Sequence, residues 1–448
     1  MNPEEARQKP VFEAAPARSA DVDGFRARVP RRVALRLLPF LFLLYVVAFL
    51  DRMNVGAAAL QMPLDLGFSE QVLGLGAGIF FLGYFLLQIP GALAAERWSA
   101  RKWIASVMFI WGILTELMAF IHTEREFYVV RFLVGAAEAG FFPAVVVYLT
   151  HWFLAADRAK AVAGFYAAMP LSYVIGSPLA GLFLGLTWLG WKGWRWLFIL
   201  EGLPAVVLSL VTLFYLTDWP HQAKWLRSEE RQWIADQLEI EKKAKREMHA
   251  YRISEALGNR DVLLLTLCYF FAVTGNYGIA FWLPTILKRV SAQSDLQVTL
   301  LASLPYFVGF FGQQINAWHS DRKQERRWHA AVPVLLTGVA VCLAINFGSN
   351  LLLSVIFFTL AGGAYYAYHP PFWAVPTEFL SGSAAAASIG LINSVGNLGG
   401  FVGPLIMGYL ASRTRSFHAG LWYLFGSFVF SGIFMLMVAR GPRHGPEP

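Results

Sequence analysis

Two stretches of this 448-residue chain place charged side chains inside long apolar runs. Asp51 and Arg52 interrupt the run YVVAFLDRMNVG at 45–56, and RFLVGAAEAGFFPA carries Arg131 and Glu138. A charge at the centre of a membrane helix costs about 2.5–3.5 kcal/mol, and such residues usually mark the path of an ion or a substrate. The two stretches therefore predict a binding or proton-transfer site, with a purely structural ion cluster as the alternative.

Helical spacing places these residues on shared faces. Arg131 and Glu138 are two turns apart on one helix, and Asp51 and Asn54 are three residues apart on another. Two acids and two bases from two helices can thus meet in one cavity. A guanidinium stays charged and its fork of donors fits a carboxylate, so Arg52 is predicted to hold an anion. Arg131 is predicted to support Arg52 in binding the anion, or else to connect its own helix to a neighbouring helix.

The two acids are the predicted proton carriers. Carboxylates in an apolar cavity hold protons more readily, and a nearby arginine acts in the opposite direction. The balance between these two effects on the proton affinity of a carboxylate can change as a cavity opens and closes. A proton-coupled carrier requires such a change. Asp51 and Glu138 are the residues assigned this role.

The composition indicates that the segments carrying these residues lie within a lipid membrane. Hydrophobic residues make up 57% of the chain and charged residues 15%, against about 25% charged in soluble domains. Helices are expected, because hydrocarbon offers the backbone no partner, and the runs do not alternate as barrel strands do. Cutting at charged and Gly/Pro-rich breaks predicts twelve spans at 35–57, 72–96, 102–121, 125–152, 159–186, 194–218, 261–289, 297–318, 328–347, 350–375, 384–411 and 417–439.

A repeat divides the chain into two halves. ERWSARKW at 96–103 recurs 225 positions later as DRKQERRW at 321–328, and each copy joins the second and third span of its half. The long polar stretch 219–260 separates the halves and contains a capped helical pattern from Ser228. Two such halves around a central site are a transporter architecture. The predicted organisation is an N-terminal tail at 1–31, a six-helix bundle at 32–218, a linker at 219–260, a second six-helix bundle at 261–440 and a tail at 441–448.

The basic residues predict the orientation. Most of the 37 Lys and Arg residues fall on one side if the N-terminus is cytoplasmic, which places both termini inside. They are scattered over turns, so the net charge of +8 indicates topology and argues against nucleic-acid binding. The absence of any Asn-x-Ser/Thr sequon favours the inner membrane of a bacterium over a glycosylated eukaryotic membrane.

Several segments resemble known transporters. The turn ERWSARKW and its copy resemble the loop signature of the major facilitator superfamily. The segments 49–56, 131–144, 281–288 and 372–410 resemble its anion:cation symporter family, the relatives of phthalate, tartrate and galactonate permeases. The resemblance implies the major facilitator fold, an all-α membrane protein with twelve transmembrane helices in two pseudo-symmetric bundles. It also implies proton coupling and anion binding by Asp51, Arg52 and Glu138.

The remaining candidates for substrate contact are polar or aromatic. The second half has no comparable acid within its predicted spans, since Asp321 and Glu378 fall at cytoplasmic ends. Asn393 and Asn397 match helix 11 of the family and Tyr84 matches a substrate-contact position, while packing is the alternative for any single aromatic residue. His369, beside two prolines, is expected to be a packing residue. The full set is Asn54, Tyr84, Gln88, Tyr269, Asn276, Tyr277, Trp373, Asn393 and Asn397.

The repeated turns predict a cytoplasmic gate. An acid in such a turn can cap or pair with a helix end of the other half, and the arginines beside it can do likewise. Topology determination by positive charge is the alternative. The predicted gating residues are Glu96, Arg97, Arg101, Asp321, Arg322 and Arg326.

The pattern favours a carrier and disfavours an enzyme. No phosphate loop, zinc spacing or nucleophile elbow occurs, and Cys268 and Cys342 suggest no disulfide framework, so no cofactor or metal is expected. The predicted function is proton-coupled uptake of a small organic anion (a monocarboxylate, sugar acid or aromatic acid) by a monomer, with anion exchange or efflux as the alternative. Phe49 stands where many relatives of the family carry Tyr, which disfavours a polyhydroxylated sugar acid.

Overall fold

The computed structural model describes residues 19–155, 157–158, 161–162, 168–246, 258–380 and 382–439. Helices dominate this part of the chain, joined by short turns. The principal helices are α1 (Ser19–Ala58), α2 (Glu70–Arg97), α3 (Ala100–Leu117), α4 (Glu124–Glu138), α5 (Phe141–Thr150), α6 (Ala168–Leu184), α7 (Gly193–Tyr215), α8 (Ser228–Arg246), α9 (Arg260–Arg289), α10 (Asp295–Lys323), α11 (Arg327–Phe347), α12 (Leu351–Phe379), α13 (Gly382–Gly396), α14 (Gly399–Thr414) and α15 (His418–Met437).

Eleven helical segments of the described residues are long and apolar enough to cross a membrane. The pair α4 and α5 forms one of them, and residues 388–414 of α13 and α14 form another. The shorter apolar helix α6 occupies the fifth of the twelve predicted positions, and much of the start of that predicted span, 159–186, lies outside the described residues. The prediction of an all-helical protein with the spans of the major facilitator fold is confirmed.

The first helix begins well before the predicted span. Val29, Val33, Leu37 and Leu41 recur every fourth residue and are fully buried, so one face of α1 continues to pack beyond the membrane-length segment. The predicted tail, 1–31, therefore contains the start of a helix at Ser19. Polar residues between the buried positions hide this apolar face, so hydropathy alone predicts a later start for the helix.

The linker helix α8 packs on the first half. Its Glu230 is almost completely buried and pairs with Arg28 and Arg32 of α1 at 3.5 and 3.0 Å. Farther along α8, Glu241 pairs with Arg158 at 3.0 Å. These contacts fix the linker helix to α1 and to the segment before α6.

Within the described residues, the main contacts between the halves, α1–α7 and α9–α15, join three pairs of helices. Helix α1 packs on α9, α2 on α14, and α6 on α10. Within the halves, α3 packs on α7 and α11 on both α12 and α15. The helices along the seam are therefore the ones able to bring a side chain into contact with both halves.

One end of this seam is closed, and we call it the sealed end; it holds the turns at 59–69, 185–192 and 290–294. A Cβ on Gly74 would lie 2.5 Å from the carbonyl oxygen of Pro404, so only glycine lets α2 and α14 approach this closely. Polar contacts join the halves here: Glu70 pairs with Arg289, and the Gln61 amide donates to Asp295 at 2.9 Å.

Candidate functional site

An ion pair between α1 and α4 forms the centre of the candidate site. The Arg52 Nε–H donates to Oε1 of Glu138 at 2.5 Å. Glu138 is fully buried and the Arg52 side chain is 10% exposed. The second oxygen, Oε2 of Glu138, has no hydrogen-bond partner among the described residues. The carboxylate is thus held at one oxygen by a charge-assisted bond, and its other oxygen is available to bind a proton.

Aromatic rings surround the Arg52 guanidinium. Its central carbon lies 4.7 Å from the ring centre of Tyr84, 4.9 Å from that of Phe49 and 5.7 Å from that of Phe80. The hydroxyls of Tyr84 and Tyr277 lie beside the same guanidinium. Tyr277 belongs to α9, so the second half contributes to the surroundings of Arg52. A cation held over aromatic faces, with hydroxyls beside it, can receive an anion that has a flat apolar body.

Asp51 has a different partner from its neighbour in sequence. The indole N–H of Trp111 on α3 donates to Oδ2 of Asp51 at 2.9 Å. Asp51 is fully buried, and its Oδ1 has no hydrogen-bond partner among the described residues. Successive residues on a helix point about 100° apart, so Asp51 faces α3 while Arg52 faces α4. The structure thus shows one direct ion pair and an acid with its own hydrogen-bond partner, and a cavity shared by the two acids and two bases stays a prediction.

Arg131 contacts the neighbouring helix α2. Its Nε–H donates to the Gly76 carbonyl at 3.4 Å, and its guanidinium carbon lies 4.9 Å from the ring centre of Phe80. Phe80 is therefore in contact with both Arg131 and Arg52. Of the two interpretations of Arg131, this geometry matches the one in which it ties α4 to a neighbour.

The other predicted substrate contacts fall into three groups: hydrogen-bonded side chains, a pair of packed aromatic rings, and residues that line small cavities. Asn397 donates to Asn393 Oδ1 at 3.2 Å, and Gln88 accepts from Ser394 of the second half at 3.2 Å. Tyr269 packs against Trp373 at 4.9 Å between ring centres.

The third group consists of residues that line small cavities. Asn276 lines a cavity of about 20 Å³ inside the second half, and Asn54 lines one of about 30 Å³ at the seam. Of the candidate polar and aromatic residues, the structure brings Tyr84 and Tyr277 to the side of Arg52. A role of the others in binding substrate stays a prediction.

Two candidate residues near the site were not predicted from the sequence. Trp111 carries no signal that distinguishes it from the other tryptophans of the chain. Glu201 does carry one, since it stands alone in the apolar run LFILEGLPAV of α7. It is 3% exposed and lines the same seam cavity as Asn54. Glu201 is thus an intramembrane charge of the same kind as the acids of helices 1 and 4, and the same criterion predicts it.

The ion pairs of the repeated turns stay within their own halves. In the first half, Asp218 accepts from Ser99 Oγ at 2.7 Å and lies 3.6 Å from Nε of Arg101. In the second half, Arg326 pairs with Asp321 at 2.5 Å and lies 3.9 Å from Glu378. Glu96, Arg97 and Arg322 are exposed. Contacts of these residues across the seam, which a gate requires, stay a prediction.

Among the described residues, no three His, Cys, Asp or Glu side chains lie close enough together to hold a metal ion. Cys268 is buried in the second half, where its sulfur lies 3.4 Å from the Ser431 hydroxyl.

Residues 41–404 match the sequence profile of the Major Facilitator Superfamily. A candidate tartrate transporter of Agrobacterium vitis is 45% identical over 420 residues, which cover 93% of this chain and 96% of the relative. A quinolone resistance transporter of Acinetobacter baumannii is 40% identical, with 89% and 92% of the two chains covered.

A solved structure has the same fold. A bacterial homologue of the human lysosomal transporter Spinster, crystallised in an inward-facing, occupied conformation, superimposes with a TM-score of 0.74. The alignment covers 92% of this chain and 98% of that one, at 19% identity.

Proposed function

The chain belongs to the major facilitator superfamily, and on that premise we propose that this multi-pass membrane transporter is a proton-coupled symporter of a small organic anion. The observation that carries the proposal is the buried Arg52–Glu138 pair, which joins an anion-binding cation to a carboxylate with an unpartnered oxygen. Substrate and proton can then act on the same pair: an anion that binds Arg52 competes with Glu138, and a proton on Glu138 releases Arg52 for the anion.

The surroundings of Arg52 support a substrate with a carboxylate and a flat or weakly polar body. Three aromatic rings lie within 6 Å of the guanidinium carbon, and hydroxyls come from Tyr84 and Tyr277. Phe49 contributes a ring without a hydroxyl to this wall. An aromatic acid or a weakly polar monocarboxylate fits these walls better than a polyhydroxylated sugar acid.

The location follows from the same proposal. We place the protein in the inner membrane of a bacterium with both termini in the cytoplasm, because the basic turns 96–103 and 321–328 lie at the end opposite the sealed end. The sealed end then faces outward, and the conformation is one in which the outer entrance is closed. Small anions, protons and lipid are the partners of this monomeric carrier.

The test is transport in proteoliposomes with a panel of carboxylates. An imposed pH gradient, acidic outside, should drive accumulation of at least one carboxylate, and a protonophore should abolish it. Asp51→Asn and Glu138→Gln should lose accumulation but retain substrate exchange, because exchange does not require the empty carrier to release its proton. Glu124→Gln, an exposed acid at the start of α4, is the matched control and should behave as wild type. Wild-type accumulation in both Asp51→Asn and Glu138→Gln refutes the proton assignment.

Efflux is the second candidate, because a relative of 40% identity is named a quinolone resistance transporter. The same vesicles separate the two functions. A symporter moves the anion in the direction of the proton gradient, whereas an antiporter moves its substrate against that direction. If the protein exports substrate only while protons enter in exchange, its function is efflux and the proposed uptake is wrong.

A further inference from the structure

A small cavity lies at the seam beneath the sealed end. Its volume of about 30 Å³ is enough for one or two water molecules. Both halves line it: Asn54, Ser177 and Glu201 come from α1, α6 and α7, and Pro284 and Tyr306 come from α9 and α10. Because the lining belongs to both halves, separation of the halves at the sealed end would open this cavity first to the outer solution.

Glu201 is the acid of this cavity, and it has no basic partner. It is 3% exposed, its Oε2 makes no hydrogen bond, and no cation forms an ion pair with it, within the part of the chain that the structure describes. The titratable groups around it are Asp51 on α1, Glu116 on α3 and Tyr306 on α10. An ionised Glu201 carboxylate would have the Asn54 side chain beside it but, among the described residues, no positive charge to offset the loss of its hydration. The protonated acid is the form that this conformation accommodates.

We propose that Glu201 is a third proton-binding residue: it takes up one of the coupled protons from the outer side and carries that proton itself, with Asp51 as the neighbouring acid with which it can exchange protons. This inference rests on the proposed proton-coupled function. Asn54 is part of the cavity lining, its side chain lies beside the Glu201 carboxyl group, and it stands one helical turn from Asp51 on the same face of α1. A water in the cavity can accept the proton from the Glu201 carboxyl and donate one towards Asp51, so that one O–H bond breaks for each that forms.

The proposal separates the proton path from the anion site. Glu201 and Asp51 lie on the side of α1 that faces α3 and α7, whereas Arg52 and Glu138 lie on the side that faces α4. Glu201 can therefore change its protonation while Arg52 holds the substrate. Loss of Glu201 should alter the number of coupled protons and leave anion binding unchanged.

The experiment compares Glu201→Gln and Glu201→Asp with wild type in proteoliposomes. With an imposed gradient of one pH unit, the loss of one coupled proton lowers limiting accumulation about tenfold, because each proton contributes a factor of ten per pH unit. We expect that loss in Glu201→Gln, with substrate exchange and apparent affinity as in wild type. Glu201→Asp keeps a titratable acid and should restore most of the accumulation. Glu116→Gln, which removes the neighbouring acid outside the cavity lining, should behave as wild type.

Infrared spectroscopy detects the protonated carboxyl group of Glu201 directly, and a purely structural role of this residue would not require such a group. Wild-type protein in detergent should show a carboxylic acid C=O band that is missing in Glu201→Gln and present in Glu116→Gln. Wild-type accumulation in Glu201→Gln, an equal loss in Glu201→Gln and Glu201→Asp, or an unchanged band would each overturn the inference. If wild type itself shows no response to the pH gradient, the proposed function fails, and that outcome differs from all three.

Discussion

Neighbouring side chains on a helix point about 100° apart, and this gives Asp51 and Arg52 different partners. Asp51 accepts from the Trp111 indole at 2.9 Å, and Arg52 donates to Glu138 at 2.5 Å. An uncharged donor leaves an acid freer to change its protonation than a guanidinium does. At the scale of single residues, the two acids are therefore unequal: Asp51 accepts a hydrogen bond from a neutral indole, whereas Glu138 is paired with the guanidinium that we propose as the anion-binding group.

Arg52→Lys is the residue-scale prediction. An ammonium keeps the charge but cannot reproduce the planar fork of donors. A lost hydrogen bond to a charged group is worth about 1.5–3 kcal/mol, which corresponds to binding weakened about tenfold to a hundredfold. Substrate affinity should fall by that factor, and both accumulation and exchange should suffer. Arg125→Lys, at an exposed position of α4, is the control. Normal substrate affinity in Arg52→Lys would show that Arg52 does not bind the anion through its fork of donors.

The crossing of α2 and α4 sets the position of Glu138. Gly135 lies one turn before Glu138, and a Cβ there would collide with the carbonyl oxygen of Phe80 on α2. The same turn of α2 carries Phe80 and Tyr84, whose rings contact Arg52. Close approach of the two helices therefore assembles the acid and the aromatic wall around one guanidinium.

Gly135→Ala should push these helices apart. Overpacking a tight contact typically costs about 1–3 kcal/mol, so the melting temperature in detergent should fall and transport should decline with it. Gly426 is the matched control, a helical glycine of α15 whose Cβ would meet nothing within 4 Å. Gly426→Ala should be neutral or slightly stabilising because alanine is the better helix former. Equal melting temperatures for the two variants would contradict the crossing argument.

The start of α11 depends on one acid in the turn before it. Partial burial favours protonation of Glu325, but hydrogen bonds from the backbone of Trp328 and from the side chain and backbone of His329 outweigh it and hold the pKa of Glu325 below its ordinary value near 4.5. An acid with a lowered pKa stabilises the fold above its ordinary pKa, and that stabilisation is lost as the pH falls through the lowered value.

Glu325→Gln should therefore destabilise the start of α11 at neutral pH. We expect an effect of about 0.5–1 kcal/mol, since the group is partly exposed to solvent. Hydrogen exchange at residues 327–331 should be faster than in wild type at pH 7, and the difference should vanish below pH ~4. Glu239→Gln, an exposed acid of α8, is the control. A difference that persists unchanged into acid would show that Glu325 acts through packing alone.

At the scale of the whole molecule, the sealed end holds the halves in one arrangement. Gly74 against Pro404, Glu70 with Arg289, and Gln61 with Asp295 all cross the seam there. A carrier that alternates must break these contacts in each cycle. They are polar or small, and such contacts are easier to separate than a broad apolar interface.

Cross-linking this end should stop transport. The backbone N–H of Gln71 donates to the hydroxyl of Ser412 in the other half at 2.9 Å, so cysteines at both positions, in a protein without Cys268 and Cys342, should join through a short thiol reagent. Transport should cease, and cleavage of the linker should restore it. The control pair is Asp65 and Arg195, an ion pair of 3.7 Å within the first half. Normal transport by the cross-linked Gln71–Ser412 protein would exclude opening of the sealed end.

The sequence by itself determined that the chain lies in a membrane, that it is helical, that it divides into two halves and which charged residues the candidate site contains. Hydropathy and charge are local properties that a window of about twenty residues reports directly, and a charge in such a window is costly enough to be informative. The charged residues of helices 1 and 4 followed from these signals, whereas the family followed from the resemblance of whole segments such as 131–144 and 372–410.

Only the tertiary structure decided which partners these residues have. Periodicity gives the face on which a side chain lies, but not the helix that covers that face. Thus Glu138 rather than Asp51 binds Arg52, Trp111 binds Asp51, and Glu201 lines a cavity shared by five helices. The early start of α1 likewise needs the buried Glu230 of α8, about two hundred residues away. Pairings of this kind depend on how helices rotate and cross, and packing of the whole bundle fixes that rotation.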